Sequence, residues 1–455
     1  MFKTLKNAWK VQEIQNKILF TLLIIFLYRL GSAIPVPYVN QDLIQFNTLY
    51  GGTILDYLSI LSGGAMSQAT LFALSVSPYI TSSIVIQLLT VAFPNSLGKL
   101  AKEGEEGQKK IKKYTRWVTI GIALVTAYGY TALLGNGNGL VSWLDGKYIV
   151  WGGMWATAES AGGIFGGTIA TLVIIASYVA GACIIMWLAE LIDAKGIGNG
   201  ISMILFFNII SRGPQLVMGL INMITRNPAD KGGLAVGIVL GVVSLIVTLG
   251  MVVLVVWVTH SERRIPIQYA KRVVGRKQYG GQGTHLPIKL NMTGVMPIIF
   301  ASSIVSVPAT IAAFAQGSGF ANWVTKWLGP DSWVYVILYL VLIVAFAYFY
   351  ILISFNPLEV ANNIKNNGGS VPGIRTGRPT AEYITKILNR ITLIGAFFLI
   401  IVAGLPMIIN IVTGGSFQGL AFGGSSLLIV IGVAIETFRD IEAQITMRNY
   451  KGFLD

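Results

Sequence analysis

The chain has 455 residues, of which 54% are hydrophobic and only 11% are charged, and its mean hydropathy is +0.69. Soluble domains carry about 25% charged residues, so this composition excludes a soluble enzyme and predicts a polytopic membrane protein. A single cysteine excludes a disulfide framework, and two histidines leave little for metal chemistry, so we expect neither a metal site nor a cofactor.

A short segment, residues 1–17, precedes the first apolar run. Four of its apolar side chains lie near one face of a helix: Phe2, Leu5, Trp9 and Ile14. This spacing favours a short amphipathic helix on the inner membrane surface, and a solvated tail is the alternative. No small-residue cleavage site follows the first run, so we interpret that run as an anchor.

Ten apolar runs follow, each close to the roughly 20 residues that a helix needs to cross a bilayer. Their approximate bounds are 18–37, 70–92, 115–135, 164–190, 198–222, 233–259, 292–316, 333–355, 385–411 and 424–446. No run carries a central Asp, Glu, Lys or His residue. Because pumps and coupled transporters need ionisable groups at membrane depth, this pattern disfavours that class.

The basic residues predict the orientation in the membrane. When the N-terminus is placed in the cytoplasm, the inner segments and adjoining span ends hold 27 of the 33 Lys and Arg residues. The outer loops hold Lys147, Arg212, Arg226, Lys231 and Lys326, and Arg29 is the remainder. Because cytoplasmic loops carry the excess of positive charge, both termini are predicted to be cytoplasmic.

The ten spans divide into two groups of five, which predicts the domain organisation. An odd number of spans in each half means that the second half enters the membrane from the opposite side, so any duplication is inverted. The predicted fold class is an all-α polytopic membrane protein with two inverted five-helix halves. We place the N-terminal half at residues 18–225, the C-terminal half at 226–447 and a cytoplasmic tail at 448–455.

The stretch 53–66, between the first two spans, is apolar but too short to cross a membrane. It ends at the pair Gly63 and Gly64. Such a segment either lies on the outer surface or turns back into the protein as a re-entrant piece, and the residues themselves leave both possibilities open.

Two inner loops, residues 260–291 and 356–384, are longer than the about 2–8 residues that commonly connect helices. Their basic residues include Arg263, Arg264, Lys271, Arg272, Arg276, Lys277, Lys365, Arg375 and Arg378. Interleaved Gly, Pro and Tyr residues favour shaped docking surfaces for an acidic or RNA-bearing partner. The alternative is that these charges serve membrane topology alone.

Catalytic motifs are absent from the sequence. It contains neither an HExxH zinc motif nor a GxSxG nucleophile motif, so we predict that the chain is not an enzyme. Gly196, Gly198 and Gly200 superficially resemble a phosphate loop, but no predicted strand precedes them. They join two apolar helices instead, which favours a tight turn.

Several unusual strings resemble the SecY family, the channel subunits of the bacterial protein-conducting translocon. They are Ser62-Gly-Gly-Ala-Met-Ser-Gln-Ala, Ser77-Pro-Tyr-Ile, Ile86-Gln-Leu-Leu-Thr, Gly196-Ile-Gly-Asn-Gly-Ile-Ser, Tyr269-Ala-Lys-Arg, Thr284-His-Leu-Pro-Ile-Lys-Leu-Asn-Met and Val371-Pro-Gly-Ile-Arg. The resemblance runs over essentially the whole chain.

The resemblance implies a channel between two inverted halves that opens sideways to lipid between the second and seventh spans. Such a channel translocates unfolded secretory polypeptides across the bacterial plasma membrane and releases membrane-protein segments laterally. The implied partners are the SecE and SecG subunits, the SecA ATPase, the ribosome, a preprotein with its signal sequence, and membrane lipid. The alternatives are a small-molecule secondary transporter with inverted repeats and a scaffold that only docks the ribosome.

The resemblance also implies a pore ring and a plug. The ring residues are Val76, Ile80, Ile201, Leu205, Ile299 and Ile429. The plug spans residues 54–68, and its site residues are Ile54, Leu55, Leu58, Leu61, Gly63 and Gly64. Ordinary core packing is the alternative for each aliphatic residue, because periodicity alone does not select these positions.

A lateral gate and a docking surface complete the implied sites. The gate residues are Thr81, Ser82, Gln87, Ser302 and Ser303. The residues that dock the motor or the ribosome are Arg263, Arg264, Lys271, Arg272, Arg276, Lys277 and Arg375. Helix–helix hydrogen bonds, worth about 0.6 kcal/mol each, are the alternative role for the gate residues.

Overall fold

The computed structural model of the chain describes residues 9, 11–37, 39, 59, 62–93, 97–136, 164–214, 233–269, 272–274, 277–279, 284–314, 319–329, 332–412 and 423–451. The helices in the first part of the chain are α1 Gln12–Gly31, α2 Ser77–Ala92, α3 Leu97–Lys102, α4 Glu105–Asn136, α5 Ile164–Lys195, α6 Gly200–Ser211 and α7 Gly233–His260. Four strands follow: β1 Glu262–Tyr269, β2 Arg272–Val274, β3 Lys277–Tyr279 and β4 Thr284–Lys289. The remaining elements are α8 Met296–Phe314, α9 Gly319–Trp327, α10 Trp333–Ser354, α11 Pro357–Asn366, β5 Gly369–Ser370, α12 Arg378–Val412 and α13 Gly423–Lys451.

Each of the ten predicted spans overlaps one of these helices. Among the described residues, five helical stretches are long and apolar enough to cross a membrane: Gln12–Gly31, Thr171–Lys195, Gly241–His260, Trp333–Asn366 and Arg378–Ile409. Three shorter apolar helices are Ser77–Ala92, Gly200–Ser211 and Met296–Pro308. The mostly helical membrane fold is therefore confirmed. The inverted relation between the halves stays a prediction.

The first helix is shifted towards the N-terminus relative to the predicted first span. It begins at Gln12, so residues 12–16 of the predicted surface helix continue directly into the span. Most of residues 1–10 lie outside the described part of the chain. The helix ends at Gly31 because Pro35, a few residues further on, cannot continue it.

The second helix begins later than predicted, at Ser77 rather than near residue 70. Pro78 lies in its first turn, where a missing backbone N–H costs nothing. The residues before it form turns, and the backbone N–H of Leu71 donates to the carbonyl oxygen of Ile34 at 2.9 Å. This contact ties the chain that follows α1 to the chain that precedes α2.

The chain forms two compact units, which do not follow a single cut in the sequence. The first consists of Met1–Gly241, Ser303–Tyr335 and Val433–Asp455, and the second of Val242–Ser302 and Val336–Gly432. In the first unit α1 packs on α5, α2 on α4, and α4 and α6 on α5. A buried cluster there consists of Val36, Val39, Met66, Ala69, Ala73, Ala127, Tyr130, Ile174 and Tyr178. The predicted domain bounds remain a prediction.

The second unit contains a small sheet that the all-α prediction did not include. Its strand order is β4-β1-β5, and β1 pairs antiparallel with β4 from Glu262 opposite Lys289 to Ile267 opposite Thr284. The sheet, α11 and the ends of α10 and α12 share a core of Ile265, Ile267, Ile288, Ile351, Ile364, Val371, Ile384, Leu388 and Ile391. Parts of the two long inner loops therefore share one hydrophobic core.

Candidate functional site

Four of the predicted ring residues lie at the starts of two short helices in the first unit. Val76 is the N-cap of α2 and Ile80 follows one turn later. Ile201 and Leu205 occupy the first turns of α6 with the same spacing. A separation of four residues places each pair on one helix face. Three of the four are buried, and Ile201 is partly exposed.

The connection between α5 and α6 fixes where α6 begins. The Oδ1 atom of Asn199 accepts a hydrogen bond from the N–H of Ser202 at 3.1 Å, which caps the helix. The Oδ1 atom of Asp193 accepts another from the N–H of Gly200 at 2.7 Å. A Cβ atom on Gly200 would lie 2.0 Å from the carbonyl oxygen of Ala189, so only glycine allows this approach. The turn predicted here is therefore a close-packed one.

The other two ring residues, Ile299 on α8 and Ile429 on α13, belong to the second unit and are also buried. Gly432 lies near them, and a Cβ atom there would come within 2.7 Å of Val295 Cγ2. Glycine thus permits α13 to pack closely against the start of α8. Whether the six aliphatic side chains form a ring stays a prediction.

The predicted gate residues mostly bond within their own helices. The Thr81 hydroxyl donates to the Ser77 carbonyl at 3.0 Å, and the Ser302 hydroxyl donates to the Ile299 carbonyl at 2.9 Å. On the same helices, Gln87 Nε2 donates to the Ser83 hydroxyl at 3.2 Å and the Ser306 hydroxyl to the Ser303 carbonyl at 2.7 Å.

Ser82 differs from the other gate residues because it is fully buried against a neighbouring helix. Its hydroxyl lies 2.6 Å from Thr119 Oγ1 and donates to the Thr115 carbonyl at 3.2 Å, both on α4. This arrangement ties α2 to α4 within the first unit. A role for Ser82 in a gate remains a prediction.

Only the end of the predicted plug lies in the described part of the chain. Ile54, Leu55, Leu58 and Leu61 fall outside it, whereas Ser59 and residues 62–68 are described. Gly63 and Gly64 have φ angles of +67° and +91°, a conformation that glycine adopts without strain. The N–H of Gly64 donates to the Ser59 carbonyl at 2.9 Å, which joins this glycine pair to Ser59.

Side chains from α1 and α6 surround this turn. A Cβ atom on Gly63 would lie 2.7 Å from Arg29 Nη1, 3.0 Å from Asn208 Oδ1 and 3.2 Å from Ser211 Oγ. Arg212 Nη2 donates to Ser59 Oγ at 3.2 Å. Two guanidinium groups therefore reach residues of the predicted plug from separate helices.

Residues 62–69 are anchored in the core of the first unit. Ser62 and Ala69 are fully buried, and the Met66 N–H donates to Ser62 Oγ at 3.1 Å. The Tyr130 hydroxyl on α4 donates to the Met66 carbonyl. Any movable part of the plug must therefore end before Ser62.

Arg375 lies on a turn that is fixed at both ends. Val371 is buried in the core of the second unit, and Thr380 Oγ1 donates to the Arg375 carbonyl at 2.8 Å. Gly373 and Gly377 have φ angles of +78° and +100°, as a sharp turn requires. The Arg375 side chain is exposed and has no ion pair among the described residues. The fold thus presents the exposed guanidinium of Arg375 from a fixed backbone.

The other docking candidates lie on the strands before α8. Arg263 and Arg264 are exposed on β1, and Arg264 Nη2 lies 2.8 Å from Glu262 Oε1, which partly neutralises it. Arg272 is on β2, where it pairs with Tyr279, and Lys277 is on β3. Lys271 and Arg276 lie outside the described residues.

A family model described as SecY matches residues 70–438. The protein translocase subunit SecY of Streptomyces galbus is 42% identical over 459 residues, and that of Mycobacterium tuberculosis is 40% identical over 469 residues. In both comparisons the alignment covers 100% of each chain. The chain belongs to the SecY family.

Solved structures show the same fold. A structure described as a protein-conducting channel matches with a TM-score of 0.62 and 15% identity, covering 94% of this chain and 92% of that one. A structure concerning the SecY plug domain and the closed state of the translocation channel gives a TM-score of 0.63 at 16% identity, with the same coverage. Sec61 in a canine ribosome–channel complex gives 0.59 at 15% identity. A SecY-type fold is therefore confirmed.

Sequence reasoning missed the groups around Gly63. Arg212 entered only as a basic residue of the predicted outer loops and Arg29 only as a basic residue within the first span, and Asn208 did not enter at all. The usable signal was that Arg29 and Arg212 are among the six basic residues that break the charge bias and that Asn208 interrupts an apolar helix. Asn208 is fully buried, and its Nδ2 donates to the Tyr28 hydroxyl at 2.8 Å.

Proposed function

We propose that this SecY-family chain is the protein-conducting channel that carries unfolded secretory polypeptides across, and releases membrane segments into, the bacterial plasma membrane. Identity of about 40% along the whole chain to proteins named translocase subunits carries this proposal. Both termini face the cytoplasm, as the distribution of Lys and Arg residues indicates. The family points to a membrane channel rather than an enzyme.

The lining of a channel that must conduct polypeptides of any sequence cannot bind particular segments tightly. The ring residues Val76, Ile80, Ile201, Leu205, Ile299 and Ile429 are all aliphatic. Branched apolar side chains fit around a passing polypeptide without specific hydrogen bonds and exclude ions by dewetting when the channel is empty. This chemistry supports a seal that depends on hydrophobicity and size.

The plug closes the outer side of this ring, and its movable part precedes Ser62. The turn at Gly63 and Gly64 and the burial of the residues after it support this division. A signal sequence parts the gate between α2 and α8. The weak intrahelical hydrogen bonds of Thr81 and Ser302 leave these hydroxyls little to lose when the helices separate.

The energy for transport comes from partners that dock on the second unit. SecA and the ribosome bind the Arg375 turn and the basic strands β1 to β3, while SecE and SecG accompany the channel. The exposed Arg375 supports this assignment, because its planar charged group suits carboxylates, carbonyl oxygens and phosphates alike. The Sec61 relative was seen with a ribosome, which is consistent with docking by this family.

Reconstitution separates this function from that of a small-molecule transporter. The purified channel complex in vesicles, supplied with SecA, ATP and a preprotein, should protect the preprotein from added protease. Uptake of small solutes in the absence of preprotein should stay at the level of empty vesicles. Solute uptake without preprotein protection would replace the proposed function with the transporter alternative.

The ring has its own test. Replacing Ile80 and Ile299 together with Ser should make the resting channel conduct ions, because two sealing side chains are truncated and hydrated. Ile185 and Ile343 are equally buried, one in each unit, and their double replacement with Ser is the matched control. The control should lower stability, but its resting conductance should match the wild type. Equal conductance in both double variants would remove the ring assignment.

A further inference from the structure

Two arginines occupy positions that membrane topology disfavours. Of the 33 Lys and Arg residues, 27 fall on the predicted inner side or at inner span ends, and Arg29 and Arg212 are two of the six that do not. Arg29 lies near the end of α1, and Arg212 is the C-cap of α6. Because positive charge on the outer side opposes the usual bias, these two residues need another reason to be there.

Both arginines converge on the same few residues. Arg212 Nη2 donates a hydrogen bond to Ser59 Oγ at 3.2 Å, and Ser59 is fully buried. Arg29 Nη1 lies so close to Gly63 that a Cβ atom there would be 2.7 Å away. Chance packing of two outer-side cations from different helices against one turn is a weak explanation, because each guanidinium gives up part of its hydration to reach it.

Two of the side chains around Gly63 are held in place by hydrogen bonds of their own. Asn208 Nδ2 donates to the buried Tyr28 hydroxyl, and the Ser211 hydroxyl donates to the Asn208 carbonyl at 2.7 Å. These bonds fix Asn208 and Ser211 beside Gly63, which has no side chain and adopts a positive φ. The recess is thus complementary to glycine and to no larger residue.

We propose that Arg29, Asn208, Ser211 and Arg212 form a plug seat: its groups around Gly63 fix the turn at which the movable part of the plug begins, and Arg212 holds Ser59 and thereby that movable part in the closed channel. The inference rests on the proposed plug and adds the residues that retain it. Arg212 retains the plug through one charge-assisted hydrogen bond, and the other groups supply shape. A contact of this size biases an equilibrium without blocking it, as a plug that must leave requires.

The test compares resting channels in planar bilayers made with the purified channel complex. Arg212→Ala and Ser59→Ala each remove one partner of the same bond, so each should raise the open fraction of the empty channel about tenfold. The double variant should equal either single variant, because the bond is lost only once. Arg212→Lys should restore part of the seal, since an ammonium group can also donate to Ser59.

Arg116→Ala is the matched control. Arg116 is a helix arginine of the same unit and has a 2.6 Å ion pair with Glu190, and it has no hydrogen bond or ion pair with Ser59 or residues 62–68, the part of the plug that the structure describes. Its loss should leave the resting conductance unchanged, and thermal unfolding of each purified complex checks that all variants fold.

A channel that lacks residues 54–58 separates the proposal of a plug from the proposal of a plug seat. If this channel leaks while Arg212→Ala and Ser59→Ala stay sealed, the seat is wrong and the plug stands. If the shortened channel does not leak, the plug itself is wrong. Additive effects of Arg212→Ala and Ser59→Ala would also overturn the seat, because independent effects cannot come from one shared bond.

Discussion

The plug seat and the Arg375 turn use the same side chain in opposite settings. In the seat, Arg212 bonds to the buried Ser59 and Arg29 packs against Gly63, so both guanidinium groups face the protein's own chain. On the turn, the backbone of Arg375 is fixed by Thr380 while its guanidinium is exposed. The first setting uses arginine to hold a segment of the chain, and the second presents it to a partner.

This difference between an arginine that contacts the protein's own chain and an exposed one determines in which experiment the loss of each arginine should be detected. A charge that contacts the protein's own chain changes the balance between conformations, so its loss should appear in the empty channel. A charge that is left free changes binding, so its loss should appear only when the partner is added. Resting conductance and SecA-dependent export therefore separate the two regions.

The largest expected effect is that of a substitution on the Arg375 turn. Arg375→Glu should nearly abolish SecA-driven export, because it replaces a planar cation with an anion at the point of docking. Resting conductance, membrane insertion and protein level should match the wild type. Export of a preprotein into vesicles and translocation ATPase activity measure the loss.

Lys365→Glu is the matched control for Arg375→Glu. It reverses the same charge on the same inner loop, but from the last turn of α11 rather than from the fixed turn. If topology were the only role of these charges, both variants would export normally. Equal and severe losses would instead show that the loop responds to net charge rather than to one placed guanidinium.

The second effect belongs to the seat. Gly63→Ala should make the empty channel leak, because its Cβ atom would meet Arg29, Asn208 and Ser211 within 2.7–3.2 Å and the φ angle of +67° disfavours a side chain. SecA binding should not change. Conductance in planar bilayers measures the effect.

Gly104→Ala controls for backbone strain alone. Gly104 belongs to the same unit and has a φ angle of +75°, but a Cβ atom there would have no neighbour within 4 Å. Its empty channel should remain sealed. A leak of equal size in both variants would assign the effect to lowered stability instead of to the seat.

The sequence could predict the spans because their signal is local. Runs of apolar residues near the length of a bilayer place a helix in each of ten segments, and the energetics need no knowledge of neighbours. Helix ends were less accurate: Pro35 stops α1 early, and the turns before Ser77 delay α2. The sheet around β1 was missed because its core is completed by α11 and α12, far along the chain.

The site residues also differ in whether a local sequence pattern is enough to predict them. Arg375 could be proposed because Pro372, Gly373 and Gly377 form a local pattern around it. The seat could not, because Arg29 and Arg212 are 183 positions apart in the sequence and meet the plug only in the folded chain. Charge bias marks both arginines as exceptions, yet it does not identify what they contact.

A smaller effect is expected from the backbone of the turn. Gly377→Ala introduces a side chain at a φ angle of +100°, where a Cβ atom would meet no neighbour within 4 Å. The cost is therefore conformational only, about 1–2 kcal/mol, and part of it weakens presentation of Arg375. SecA affinity should fall several-fold with an unchanged resting conductance. A loss as complete as that of Arg375→Glu would mean that Gly377 itself contacts the partner.

The smallest effect should come from the hydroxyl that fixes Arg375. Thr380 is buried, and its Oγ1 donates to the Arg375 carbonyl at 2.8 Å, so Thr380→Val removes this bond and keeps the shape of the side chain. One neutral hydrogen bond contributes about 1 kcal/mol, which limits the loss of SecA affinity to about fivefold. Thr380→Ser keeps the hydroxyl and should restore most of the affinity, which a mere packing defect at this position would not allow. If Thr380→Val binds SecA like the wild type, the turn is rigid without this bond, and its glycines and the buried Val371 alone would account for the placement of Arg375.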